Sequence, residues 1–492
     1  MKNAKRIVCL VLSVLLIASL FSAPAAAETA AATGATPVRV SACVAGDNGQ
    51  TVGFCWYTAD KADSVVTLRD ESGAPLAGAK LSDPICEEWE GLWMHKVTAF
   101  DLPAQTLIKY TVGDGSSTVS GTVKTGGAAD AVKFIEIADV QASSAENFEK
   151  GAATLRAAFE TLPDAAFVAN CGDFTNDSTN EEWNLYDASF GEMNRTYLLA
   201  PVAGNHDGFG VAYWFNNMFN LDTSESVQVK NGVNYSFDYG NAHFAVLNTN
   251  DCLNVSKPQL KWLKNDMNST DKDWKIVFIH KSPYTLGKDG KWPDALQLQK
   301  TLTKVCDETN VDLVIGGHDH QYLRTKPLTG NKLDENGVTY LLSGTAGSKR
   351  YEVREFLAGH FMKKQFIDAL VIQKGGYGNY WNGTDWKSTD ENNIGGCYNT
   401  VEIAGGKLTL NAYILGDESH QSKKIDTLTL TKTTGENKIT FTGDNTTSKA
   451  AYTAGSVLSY ASLLLYTFTN WLPRFLALVP ELIYSVAVYD TF

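Results

Sequence analysis

From Lys133 onward, short apolar runs alternate with amphipathic stretches, and nearly every apolar run ends in glycine or polar donors. FIEIAD, AAFVANCGD, WKIVFIH, VDLVIGGHDH and VTYLLSGTAG read as buried strands, with helices in ENFEKGAATLRAAFETL and KPQLKWLKNDM. This alternation confines the region to a layered α/β domain, because parallel neighbours need a crossover long enough to hold a helix. Open α/β sheets gather their ligand-binding groups at the carboxyl ends of strands. The strand-end motifs are therefore where chemistry is expected.

Five such motifs occur in order. ADVQ carries Asp139 and Gln141, and GDFTND carries Asp173, Asn176 and Asp177. GNHD carries Asn205, His206 and Asp207, IHKSPY carries His280, and GGHDH carries His318 and His320. Any one alone has a plain alternative, since alternate side chains at a strand end share one face and simply meet solvent. Together they supply carboxylates, an amide oxygen and imidazoles in the proportion that two adjacent divalent ions need. A shared carboxylate would let the ions sit close, and the glycines let the backbone turn tightly enough for donors to converge.

Upstream, VRVSACV, TVGFCWYT, SVVTLRD, KVTAFDL, LIKYTVGD and TVSGTVKT are strand-like runs broken by turn residues, which indicates a β-sandwich over residues 38–127. In TVGFCWYT the period-two residues Val52, Phe54 and Trp56 share one face, and Trp56 reads as core rather than as a binding residue. The chain begins with Lys2, Lys5 and Arg6, then a short apolar core, then Ala25, Ala26 and Ala27. That is the layout of a secretory signal over residues 1–27, cleaved near Ala27, followed by a linker at 28–37. Export makes the product secreted or associated with a cell surface. The formal net charge is -13, and losing the three basic residues makes the mature chain more acidic still, so no nucleic-acid partner is expected. The remaining cysteines are odd in number and form no CxxC pair, leaving room for one or two disulfides that spacing does not assign. Residues 435–492 form a linker and an apolar tail, which Pro473, Arg474, Pro480 and Glu481 split into pieces shorter than the ~20 residues of a spanning helix. Interfacial binding to a membrane surface or self-association is expected of it, with a membrane anchor the equal alternative.

The order and content of the five motifs resemble the calcineurin-like metallophosphoesterases, and within them the purple acid phosphatase-like branch. WMHKVTAFDLPAQTLIKYTVGDG resembles the last strands of that branch's N-terminal fibronectin type III-like domain, and YSFDYGNAHFAVLNT and SGTAG also fit. The resemblance implies a multidomain fold of mixed α+β and α/β class: an N-terminal β-sandwich, then a four-layer α/β/β/α metallophosphoesterase domain over residues 130–434. It implies two metal ions per chain, divalent or of mixed valence (Fe, Mn or Zn). Asp139, Asp173 and His320 would hold the first metal, and Asp173 would bridge to a second held by Asn205, His280 and His318. A metal-bridging hydroxide would attack the phosphorus of a phosphate monoester, with His206 contacting the phosphate or protonating the leaving oxygen. A phosphodiesterase on the same centre and a catalytically inactive surface-binding protein are the alternatives.

Two positions depart from the family pattern. Asn176 stands where the purple enzymes have tyrosine, so a tyrosinate-to-iron colour is not expected. Gln141 stands where many members of the broader family have histidine, and its amide oxygen or a water would fill that position. Gln141, Asn176, Asp177 and Asp207 are thus further candidates for metal-binding or supporting roles, with turn capping the alternative for the two aspartates. His243, within a strand, reads as structural. Trp183, Tyr213, Trp214 and Tyr284 either line a substrate groove or pack in the core.

Overall fold

The computed structural model describes residues 34–46, 49–127, 129–207, 214–227, 232–250, 255–287, 293–351, 364–371, 380–381, 386–387, 395–415, 421–432 and 439–443. The segment expected to be a signal, most of the expected linker after it and nearly all of the apolar tail lie outside these residues, as do Tyr213 and Cys252.

Two large sheets face each other, with helices on their outer faces. In the first sheet Ala131–Ile137, Phe167–Asn170 and Leu198–Pro201 run parallel, and the antiparallel strands Cys397–Ala404, Lys407–Leu415 and Ser422–Lys432 extend it on one side. In the second, Ala242–Val246, Trp274–Lys281, Leu313–Gly317 and Thr339–Ser343 run parallel. Between the sheets Phe134 stacks on Phe167 at 4.9 Å and meets Phe244 and Phe278 edge-on at 5.5 and 5.8 Å. Such tilted and stacked aromatic pairs bury large apolar area in favourable quadrupole geometry.

Helix Ala145–Thr161 covers the first sheet. Ser144 caps it by accepting from the Asn147 amide, and Phe148, Ala152, Leu155 and Phe159 form its buried stripe. On the far side, helix Lys257–Ser269, capped by Ser256, buries Leu263 and Met267 in a second core beneath the second sheet. The four-layer arrangement expected from the resemblance is therefore present. A further helix, Asn180–Asn194, begins directly after GDFTND on a capping box in which Thr179 and Glu182 bond reciprocally. No helix among the described residues is long and apolar enough to cross a membrane.

The N-terminal β-rich region departs from a free-standing sandwich. Val38–Ala45 pairs in parallel with Leu198–Pro201, with Cys43 opposite Leu199. Among the described residues the first sheet is thus one continuous 12-stranded sheet that runs from the α/β layers into the N-terminal region. The three-stranded sheet of Val65–Arg69, Leu107–Gly113 and Thr118–Lys124 packs against it, with Phe54 on Tyr110 at 4.7 Å. Because Thr51–Thr58 lies inside the large sheet, its residues are buried on both faces rather than on the face of Val52, Phe54 and Trp56 alone. The strand expected at KVTAFDL starts earlier, at Leu92. The disulfides left open by composition are absent among the described residues, where Cys43, Cys55, Cys86, Cys171, Cys306 and Cys397 are all free thiols.

Candidate metal centre

All five motifs lie at carboxyl ends of parallel strands, at one edge of the two sheets. Asp139 follows Ala131–Ile137, Asp173 follows Phe167–Asn170, and Asn205 follows Leu198–Pro201 from the first sheet. His280 ends Trp274–Lys281, and His318 follows Leu313–Gly317 from the second. Backbone bonds tie the loops together: the Asp139 amide donates to Gly172, the Gln141 amide to Asp173, and the Ala346 amide to Ala138. Thr345 adds a hydroxyl bond of 2.7 Å to the Asp139 carbonyl.

Two overlapping donor clusters result. Asp173, His280 and His318 bring ligand atoms within 4.8 Å of one another, and so do Asp139, Asp173 and His320. Asp173 belongs to both. His280 Nε2 lies 3.0 Å from Asn205 Oδ1 and 3.3 Å from Asp173 Oδ1, which adds the amide oxygen to the first of these clusters. His320 Nε2 lies 3.6 Å from Asp139 Oδ1 in the other.

The imidazoles are oriented from behind. His280 donates its Nδ1 proton to the Cys171 carbonyl at 2.8 Å, and His320 donates its own to the Lys349 carbonyl. Each bond directs Nε2 into the site, as ligating histidines require. Tyr351 stacks on His320 at 4.1 Å and fixes the ring plane. The carboxylates are held as firmly: Asp139 accepts from the His318 amide through both oxygens, at 2.9 and 3.0 Å, and Asp173 accepts from the His206 amide at 2.9 Å.

The backbone carries strain at these same positions. Asp139, Asp173 and His318 have φ of 56°, 55° and 80°, in the left-handed region that non-glycine residues rarely occupy. Such outliers concentrate at functional sites, where surrounding structure overdetermines them. Close approach matters as well: a Cβ on Gly204 would lie 2.1 Å from Asp173 Oδ1.

Burial and charge act together on the titrating groups. Burial opposes ionisation of Asp173, but the charge and hydrogen bond of His280, with His206 and His318, hold its carboxyl far below the ordinary range. Burial pushes Asp139 well above it. Burial alone would lower His280, yet Asp173, Asp139 and the Cys171 carbonyl lift it to about 9. Metal ligands bind deprotonated, so divalent cations would compete with protons for these groups.

The donor set fits a pair of such ions. It contains buried carboxylates, imidazoles and an amide oxygen, with one carboxylate common to both clusters. Gln141 strengthens the fit: it is 4% exposed, and neither polar atom of its side-chain amide has a hydrogen-bond partner among the described residues. Buried polar groups are rarely left so, and a cation or its water would satisfy the oxygen.

The remaining candidates fall differently. Asp207 is fully buried and accepts from the amides of Asp173, Phe174, Thr175 and Gly204, so it clamps GDFTND to GNHD rather than facing the donors. Burial, then the charge of Asp173, raises its carboxyl to about 7. His206 is half-buried, with Nδ1 bonded to the Asn176 carbonyl. Asp177 is exposed and bonds the Asn176 amide at 2.8 Å. His243 sits away from the donors, bridging Asp238 and Asp266 at 2.7 and 2.8 Å. Trp183, Trp214 and Tyr284 are buried packing residues. Sequence reasoning passed over Thr345, Lys349 and Tyr351, for which the glycine-bearing turn after VTYLLS was the available signal.

Comparison with known proteins agrees with this geometry. The family model described as calcineurin-like phosphoesterase matches residues 132–322, which contain every motif above. This chain carries a calcineurin-like phosphoesterase domain. Part of the chain also resembles purple acid phosphatases of Arabidopsis thaliana. Purple acid phosphatase 21 is 29% identical over 154 residues, covering 31% of this chain and 34% of that protein. Purple acid phosphatase 23 is 26% identical over 174 residues, covering 34% and 38%. Purple acid phosphatase 18 is 25% identical over 186 residues, covering 34% and 41%. The chain therefore spans well under half the length of these relatives. The N-terminal β-rich region is consistent with a fibronectin type III-like domain preceding the phosphoesterase layers.

Proposed function

We propose that this protein is an exported, metal-dependent phosphatase that hydrolyses phosphate monoesters. The observation that carries the reading is Asp173, common to two donor clusters that converge from opposite sheets. Asp139, Asp173 and His320 would hold one ion, and Asp173, Asn205, His280 and His318 the other, with Gln141 beside Asp139 as a further oxygen donor. Once bound, the ions would supply Lewis-acid charge for the phosphoryl oxygens and lower the pKa of an attacking water.

The chain's own residues do the rest. His280 and His320, pinned through Nδ1, keep their Nε2 atoms in register without reorganising. Buried Asp139 and Asp173 set the separation of the two clusters, and backbone amides of His318 and His206 hold them. His206, bonded to the Asn176 carbonyl, would protonate the leaving oxygen. Residues 38–127 serve as a supporting module and residues 130–434 as the catalytic unit. Export rests on the basic and apolar N-terminus, and membrane-surface or self-association on the apolar tail.

The test is hydrolysis of a chromogenic phosphate monoester and its matching diester after reconstitution with manganese, zinc or iron. A monoester preference is expected, and His318→Ala abolishes it while the fold persists by circular dichroism. Preference for the diester would reassign the substrate, and full activity in the variant would overturn the site assignment.

A further inference from the structure

Lys349 touches two of the motifs that build the centre. Its backbone carbonyl receives the Nδ1 proton of His320, and its ammonium lies 3.4 Å from the side-chain oxygen of Asn176. The backbone carbonyl of Asn176 holds His206, whose amide bonds Asp173. The ammonium therefore sits one residue away from the group placed to meet the leaving oxygen. Lys349 also lies 5.9 Å above the ring of Tyr351, which itself stacks on His320. It is half-buried.

From this placement we infer that Lys349 is a specificity-determining residue that binds a non-bridging oxygen of the phosphoryl group and favours monoesters over diesters. The inference rests on the proposed phosphatase reading. A monoester phosphoryl group carries two negative charges at neutral pH and a diester only one, because the second ester group blocks an oxygen. A lysine ammonium is a compact point charge with three donors, suited to an oxygen that carries full charge. Asn176 contributes by bonding that ammonium through its side chain while its backbone carbonyl holds His206.

The test uses the full chain loaded with manganese, and compares wild type with Lys349→Gln and Lys349→Arg. Inorganic phosphate binding by calorimetry is the first readout, and it requires no turnover. Lys349→Gln is expected to weaken phosphate about tenfold or more, the loss of one charge-assisted hydrogen bond, and Lys349→Arg to recover most of it. The second readout is kinetic: KM for the monoester rises in parallel while kcat/KM for the diester changes by less than threefold. Metal content and thermal midpoint should match wild type, which separates recognition from loop support. Unchanged phosphate affinity in Lys349→Gln, absence of phosphate binding in wild type, or equal losses on both esters would each overturn the inference. If wild type binds phosphate in a Lys349-dependent way but cleaves no ester, the phosphatase reading falls and the anion site stands.

Discussion

Replacing Asp207 by alanine tests whether the two ligand loops are held by one buried carboxylate. Asp207 Oδ2 accepts from Asp173 and Gly204 at 2.8 and 2.9 Å, and Oδ1 accepts from Phe174 at 2.8 Å and Thr175 at 3.4 Å. Alanine leaves at least three short-bonded, buried donors without an acceptor. At about 1–1.5 kcal/mol each, the loss comes to about 3–5 kcal/mol. Asp207→Asn is the informative intermediate. Its single oxygen can still serve Asp173 and Gly204, but its NH2 then faces the amides of Phe174 and Thr175, so about half the loss is expected, about 2 kcal/mol. Urea unfolding of the metal-free chain gives the values, provided the slope m is unchanged between variants. Manganese titration gives the second reading, because a loosened Gly204–Asp207 turn misplaces Asn205 and weakens binding. A midpoint for Asp207→Ala within the equivalent of about 1 kcal/mol of wild type, with unchanged manganese affinity, would refute the clamp.

Two further outcomes follow from the geometry. Gly204→Ala puts a Cβ 2.1 Å from both the backbone nitrogen and Oδ1 of Asp173, so the shared carboxylate must move; metal content by elemental analysis should fall together with hydrolysis, and retention of both would contradict the placement. Burial alone would lower the pKa of His243, but hydrogen bonds to Asp238 and Asp266 raise it from the ordinary 6.5 to about 9. Its contribution is thus fully present below pH 6.5 and lost as pH rises through 9. His243→Gln should flatten the fall in thermal midpoint across that window, and an unaltered profile would remove His243 as its source.

The strand-end motifs were legible because apolar runs and terminal glycines are local signals, and each candidate donor stands at the end of a strand or beside one. Helix Asn180–Asn194 was also within reach, since the TNEE stretch is a capping signature, but its start is masked by the polar loop before it. The pairing of Val38–Ala45 with Leu198–Pro201 was not readable at all. It joins segments some 150 residues apart, and the hydrophobic pattern of a buried strand does not specify which neighbour it will find. The left-handed backbone at Asp139 and His318 was equally silent, because contacts of the folded state impose it and neither residue type signals it reliably. Lys349 escaped notice for a related reason. A lysine after a glycine-bearing turn reads as a solvated charge until the His320 bond shows where the turn is anchored.

The single sheet shared by the N-terminal strands and the phosphoesterase layers bears on how such a protein can be dissected. Excising the first hundred or so residues would not unclip a bead from a string; it would strip the neighbour from Leu198–Pro201 and leave a row of amides and carbonyls bare a few residues from Asn205. Bare strand edges recruit other chains. A minimal catalytic fragment cut at the compositional boundary would therefore carry its own nucleus for aggregation, and useful truncation must begin from the other end of the chain.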